Sequence, residues 1–192
     1  MSLFLENLRE HRALFDALDG LDADINAAAR LMSATLARGD KAMFCGNGGS
    51  AADSQHIAAE LTGRFIDDRR PLAALALSVD TSALTCIAND YSFADVFDRQ
   101  LRGLGRAGDC LIGISTSGNS ANVLKAFESA RAMGIATIGM LGRDGGKLKS
   151  LCDVAIVVAS PTTARIQEAH SLIGHALCGQ IELDLGLASA AA

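Results

Sequence analysis

The sequence predicts an α/β fold: a three-layer, doubly wound, five-stranded parallel sheet preceded by two helices. Two observations carry this expectation. From Lys41 onward, short apolar runs of strand length alternate with longer runs of helical period, as expected of parallel strands whose crossover helices cover both sheet faces. Before Lys41, apolar residues recur only at helical spacing. At 192 residues, 49% of them hydrophobic, a single domain can bury a full core without disulfide or metal staples.

The first helix is expected over 3–18, where Leu5, Leu8, Leu14, Phe15 and Leu18 form one stripe. The second is expected over 23–38, from Ile25, Ala28, Ala29, Met32 and Leu36, ahead of the A-R-G-D stop. Strands follow at A-M-F-C (42–45), L-A-A-L-A-L (72–77), C-L-I-G-I (110–114), A-T-I-G-M-L (136–141) and V-A-I-V-V (154–158). The last helix should open near Ser160-Pro161, a capping residue followed by a proline suited to the first turn, and run to about Leu185. No internal repeat or linker interrupts the pattern, and the Ala-rich tail from Ala188 is expected to be disordered.

Composition excludes several function classes. A net charge of -5, no Lys/Arg run, no Trp and one Tyr argue against a nucleic-acid partner, which needs a basic face or stacking platforms. Cys45, Cys86, Cys110, Cys152 and Cys178 are odd in number, far apart and never spaced C-x-x-C. They are expected to be reduced thiols in the core. The opening M-S-L-F-L-E-N-L-R-E-H-R carries charges where a signal peptide needs an unbroken apolar stretch, and nowhere do 18 apolar residues run together. A soluble, cytoplasmic protein with no membrane partner is expected.

In sheets of this class ligands bind outside the carboxyl ends of the strands. The candidate loops are therefore G-N-G-G-S-A (46–51), S-V-D-T-S (78–82), S-T-S-G-N-S (115–120) and L-G-R-D-G-G (141–146). The first nearly satisfies the dinucleotide fingerprint but lacks its acidic partner: Asp67 and Asp68 have the spacing and precede the second strand, while Asp80 has the place and lies too far along. The third puts the hydroxyls of Ser115, Thr116, Ser117 and Ser120 at a helix N-terminus, whose free N–H groups and partial positive charge suit a phosphate monoester. Helix capping alone would need one such residue. His56 and Glu60 share a helical face four residues apart, a spacing suited to a shared metal ion or proton. The terminal helix adds Gln167, Glu168, His170 and His175.

The stretches C-G-N-G-G-S-A-A-D-S-Q-H-I-A-A-E-L-T-G-R-F, A-N-D-Y, G-I-S-T-S-G-N-S-A-N-V, D-G-G and R-I-Q-E-A-H…G-H together resemble the phosphoheptose isomerase family, of the sugar-isomerase (SIS), flavodoxin-like fold. The resemblance runs in order over essentially the whole chain, as one SIS domain over 1–192. It implies a helical pair for oligomerisation over 1–38 and a catalytic core over 39–187. It also implies substrate contacts at Asn47, Gly48, Gly49, Glu60, Asn89, Asp90, Ser115, Thr116, Ser117, Ser120 and Gln167. One zinc ion per subunit would be held by His56, Glu60, Gln167 and His175, with Glu60 and His175 catalytic. Gln167 and His175 are eight residues apart, about 12 Å along a straight helix, so sharing one ion demands reach or a bend. Glutamine is also an unusual zinc ligand, which favours Gln167 as a substrate contact. Ala164 departs from members that carry an Asp there, leaving open whether a further carboxylate assists.

The implied reaction is the ketose-aldose isomerisation of sedoheptulose 7-phosphate through an enediol, the first step of ADP-heptose supply for lipopolysaccharide core or related glycans. Two alternatives stay open. Some SIS relatives are non-catalytic binding proteins, one associating with the bacterial replication initiator, but these lack the acid/base set that Glu60 and His175 provide. Another sugar phosphate could also be the substrate. The leading helices, extra to a complete five-strand sheet, and the resemblance both point to a homotetramer with sites between subunits.

Overall fold

A computed structural model describes residues 2–188, so the expected disorder of the tail falls largely on residues 189–192, outside the described ones. Helix α1 (Leu3–Phe15), a 3-10 turn (Leu18–Leu21) and α2 (Asp22–Ala37) lead into the sheet domain. There β1 (Ala42–Gly46), α3 (Gly49–Thr62), β2 (Ala74–Ala76), α4 (Thr81–Asp90) and α5 (Val96–Leu104) precede β3 (Cys110–Ser115), α6 (Ala121–Ala132), β4 (Ala136–Gly142), β5 (Val154–Val158) and α7 (Thr163–Asp184). All five strands are parallel in the order β2-β1-β3-β4-β5. The chain therefore reverses its direction of travel across the sheet between β1 and β3, where the loops after those strands diverge to opposite faces. That divergence opens a crevice for a ligand.

Side chains alternate along each strand and divide between two cores. Phe44, Ile112, Ile114, Ile138 and Met140 pack with Met32 of α2, Ile57 and Leu61 of α3, and Ile166, Ile173 and Leu177 of α7. On the other face Met43, Leu111 and Leu141 pack with Phe97 and Leu101 of α5 and with Val123 and Phe127 of α6. Strands covered on both faces read as unbroken apolar runs, and for that reason their positions were legible.

Several expectations are corrected. β2 spans three residues, not 72–77, because it is an edge strand and Leu72 N–H turns to the Leu61 carbonyl at the end of α3 (3.0 Å). α1 stops at Phe15, and α7 starts at Thr163 after a turn in which Ser160 Oγ accepts from Thr162 N–H (3.2 Å). Cys86 is exposed, not a core thiol; Cys45, Cys110 and Cys178 are buried, and burial pushes each thiol up to about 12. The two leading helices differ in burial: α2 buries Ala28, Ala29, Met32 and Leu36 on its own sheet, whereas α1 buries no residue and leaves Leu3, Phe4 and Leu5 exposed. Among the described residues no helix is long and apolar enough to cross a membrane.

Candidate active site

The four loops identified from the sequence lie at the carboxyl edge of the sheet, and contacts between elements join two of them. Asn47, just past β1, and Asn122, in the first turn of α6, exchange reciprocal amide bonds of 2.9 and 2.8 Å. The glycine loop is thereby tied to the start of the helix that follows the serine loop. Asn122 was not singled out in the sequence, although its place two residues after Ser120 was the available signal.

The serine loop is not organised as a simple cap. Ser120 is the N-cap residue of α6, yet its hydroxyl makes no bond to the helix and instead meets Ser115 Oγ at 2.9 Å. Ser117 Oγ accepts from Asn119 N–H (3.2 Å), and Thr116 and Ser117 are both partly exposed. Gly118 holds a φ of 64°, and a Cβ there would lie 2.0 Å from the Gly145 carbonyl oxygen. Only glycine permits the serine loop to pack so closely on the loop after β4. Leu148 N–H donates to Gly118 O (3.0 Å) and Lys147 N–H to Asn119 Oδ1 (3.2 Å), anchoring the turn from the far side.

α3 and α7 lie side by side and run in the same direction, so residues far apart in the chain meet as rungs. At the start of α3, a Cβ on Gly49 would fall 2.3 Å from Gln167 Nε2; the amide of Gln167 lies directly on the glycine loop. One turn on, Ser171 donates to Asp53 (3.1 Å), whose carboxyl burial holds above its ordinary value. Gly174 then meets Ile57, and beside it His175 Nε2 stands 2.8 Å from His56 Nε2, which is 3.6 Å from Glu60 Oε1.

His56, Glu60 and His175 are the described His, Cys, Asp or Glu residues that could together hold a metal ion, with ligand atoms within 4.8 Å of one another. Two imidazoles and a carboxylate are the three-ligand set of a catalytic zinc, which leaves a fourth position open. Around tetrahedral zinc, with bonds of about 2.0–2.2 Å, ligand atoms stand about 3.3–3.6 Å apart. The His56–His175 and His56–Glu60 separations of 2.8 and 3.6 Å lie near that spacing, and the three residues fit such an ion. All three residues come from one chain; the triad itself needs no second subunit. Gln167, eight residues before His175, sits at the other end of this interface.

Asn89 and Asp90 close α4 on an exposed surface. Asn89 donates to Asp90 (2.8 Å), as does Cys86 (3.4 Å), and these bonds hold the Asp90 carboxyl below the usual range. No hydrogen bond among the described residues joins them to the loops or the triad. Gly48, the N-cap of α3, is exposed with a φ of 57°.

His170 is separate from this chemistry. It is fully buried on α7 with Nε2 3.2 Å from the Leu141 carbonyl and Nδ1 unpartnered, and burial pushes its pKa down to about 4. The unfolded chain protonates this ring near its ordinary value of 6.5, so stability is complete above that pH and declines as pH falls from 6.5 toward 4. Between pH 7 and 5 the loss is about 2 kcal/mol. Urea unfolding at both pH values should give a smaller decline in His170→Gln than in the native protein; equal declines would exclude His170 as the source.

The sequence pattern of the SIS domain matches residues 7–142. A phosphoheptose isomerase from a Nitratiruptor species is 57% identical over 178 residues, covering 92% of this chain and 95% of that protein. Among solved structures, phosphoheptose isomerase GmhA from Neisseria gonorrhoeae matches with a TM-score of 0.88 at 48% identity, covering 93% of this chain and 97% of that one. A phosphoheptose isomerase from Francisella tularensis matches with a TM-score of 0.88 at 34% identity, covering 95% of this chain and 100% of that one.

Proposed function

Because the chain belongs to the SIS domain family, on the branch of the phosphoheptose isomerases, we propose that it converts D-sedoheptulose 7-phosphate to D-glycero-D-manno-heptose 7-phosphate. In this reading it opens the supply of ADP-heptose for lipopolysaccharide core or a related glycan. The observation that carries the proposal is the pairing of a His56, Glu60, His175 cluster with a hydroxyl-lined loop, joined through the glycine loop by Asn47–Asn122 and Gly49–Gln167.

Isomerisation requires a proton to leave carbon 1 and arrive at carbon 2 while another moves between O1 and O2. Glu60 takes the carbon-bound proton and returns it to carbon 2 across the enediol; His175 exchanges the proton between the two oxygens. Ser115, Thr116, Ser117 and Ser120 with the α6 N-terminus hold the phosphate, which explains how a chain of net charge -5 retains an anionic substrate. Asn47, Gly48, Gly49, Gln167, Asn89 and Asp90 orient the sugar. A zinc ion held by His56, Glu60 and His175, with Gln167 as the weakest fourth candidate, would polarise the carbonyl and offset developing negative charge. Coordination lowers the basicity of Glu60, so the ion and the base compete for one carboxylate.

A coupled assay with sedoheptulose 7-phosphate and shorter ketose phosphates should give the highest kcat/KM for the seven-carbon sugar. Activity should fall on chelation and return with zinc. Failure to turn over the heptulose phosphate would sink the proposed substrate, and chelator-resistant turnover would remove the metal. Ser117→Ala and Ser120→Ala should raise KM about tenfold or more with kcat little changed, the usual scale for a hydrogen bond to a charged group. An unaltered KM would mean that the phosphate binds elsewhere. We also read the exposed Leu3, Phe4 and Leu5 of α1 as the contact that builds a cytoplasmic homotetramer, with residues 1–38 assembling and 39–187 catalysing. Light scattering on an inline size column should return four chains; a monomer would refute it.

A further inference from the structure

We infer that Arg69, Glu182 and Phe65 are positioning residues that aim His175 and the end of α3 at one another, an inference that rests on the proposed role of His175. A metal-binding or acid/base histidine usually has its ring oriented by a hydrogen bond from its second nitrogen to a carboxylate or carbonyl. His175 has no such bond among the described residues: its one hydrogen bond there is Nε2 to His56 Nε2. What lies against the imidazole is the ring of Phe65, stacked with centroids 5.5 Å apart and planes inclined by 20°.

Phe65 is itself held by an unusual buried ion pair. Glu182, fully buried on α7, accepts at one oxygen from both Arg69 Nε (2.8 Å) and the backbone N–H of Phe65 (3.2 Å). The same guanidinium donates to the carbonyls of Glu60 (2.7 Å), Leu61 (2.7 Å), Gly63 (3.0 Å) and Arg70 (3.1 Å), of which the first three close the C-terminal end of α3 and Leu61 O also accepts from Leu72 N–H. One cation thus satisfies the end of the helix that carries Glu60, and its carboxylate partner fixes the residue that stacks on His175. Glu182 lies seven residues beyond His175, two turns along the same face of α7. Phe65 also borders Gly179, between them on that face, with Cε1 3.5 Å from where a Cβ would stand, an ordinary contact distance.

Burying a charge pair contributes little net stability against an apolar substitute, so stability alone gives weak reason for Arg69 and Glu182 here. A positioning role does account for their arrangement. An aromatic ring stacked offset against the imidazole limits its rotation and keeps Nε2 toward His56 and Glu60. Orientation of this kind should act on turnover and not on substrate affinity.

Phe65→Leu, which leaves the ion pair intact, should lower kcat about tenfold with KM within twofold of the native value, and Phe65→Tyr should restore it. Glu182→Gln should lower kcat as well, and the double variant with Phe65→Leu should be no slower than the slower single one, since both act through one ring. Losses that multiply, or full kcat in Phe65→Leu, would overturn the inference. A second readout uses no substrate: with 13C-labelled histidine, the His175 ring protons should carry an aromatic ring-current shift that Phe65→Leu abolishes and Glu182→Gln reduces. An unchanged shift in Glu182→Gln would refute the clamp whatever the enzyme's substrate proves to be; a changed shift with no heptulose turnover would fault the functional reading and leave the clamp standing.

Discussion

Glu60→Gln and His175→Gln are each expected to lower kcat by a factor on the order of 10² or more, the scale of general acid/base catalysis. The fold should survive both changes. Glu60 is partly exposed, and it is its backbone carbonyl, not its side chain, that Arg69 engages at the end of α3. His175 is likewise partly exposed, and its ring lies against His56 and Phe65. Thermal melts should therefore change little while turnover collapses. Solvent deuterium incorporation at carbon 2 provides an independent check, because Glu60→Gln should lose exchange together with turnover. Zinc content measured on each variant separates two causes: loss of kcat with the metal retained indicates a proton-transfer role, and loss of both indicates that the residue chiefly organises the ion. Near-native kcat in either variant removes that residue from the mechanism.

Gly118→Ala should be the most damaging single methyl group in the serine loop, the proposed phosphate site. The backbone cost of a left-handed conformation in an L-residue is about 1–2 kcal/mol. Here a collision adds to it. The new Cβ would stand 2.0 Å from the Gly145 oxygen, 2.3 Å from its carbonyl carbon and 2.7 Å from Gly146 N, all backbone atoms that cannot rotate away. Relief requires the loops after β3 and β4 to separate, which breaks the Leu148 N–H bond to Gly118 O and spreads the hydroxyls. A destabilisation of about 2–4 kcal/mol follows, or a melting temperature lower by about 4–16 °C in a chain of this size. KM should rise beyond that of Ser117→Ala. Gly20→Ala is the control, since no atom lies within 4 Å of its added Cβ. A melt and KM equal to the control's would show that the two loops yield freely and that their contact does not shape the cradle.

What local pattern could encode was legible. β1, β3, β4 and β5 begin where their apolar runs begin, because a strand covered on both faces must be apolar throughout. Helical spacing put His56 and Glu60 on one face while the resemblance singled them out, and the serine loop could be placed at a helix N-terminus because strand and helix periods meet there. Edge strands and helix ends were less legible. β2 has one sheet neighbour, so its length depends on Leu72 turning to α3, and the start of α7 depends on a turn around Ser160.

The sequence by itself determined the fold class, the loops at the carboxyl edge and, through its resemblance, the residues to watch. Tertiary structure alone decided which of them meet. His56 and His175 are 119 residues apart, and their 2.8 Å approach exists because Gly174 lets α7 lie close against Ile57 of α3. The Asn47–Asn122 pair, the Phe65 ring on His175 and the Arg69–Glu182 clamp arise in the same way, from side chains on elements distant in the chain. That α2 is buried on the sheet while α1 keeps Leu3, Phe4 and Leu5 in the open also lay beyond their similar apolar periods. The physical reason is common to all: periodicity specifies which face of an element avoids water, whereas the surface that covers it is chosen by packing between elements, where a missing Cβ or one buried charge sets the distance.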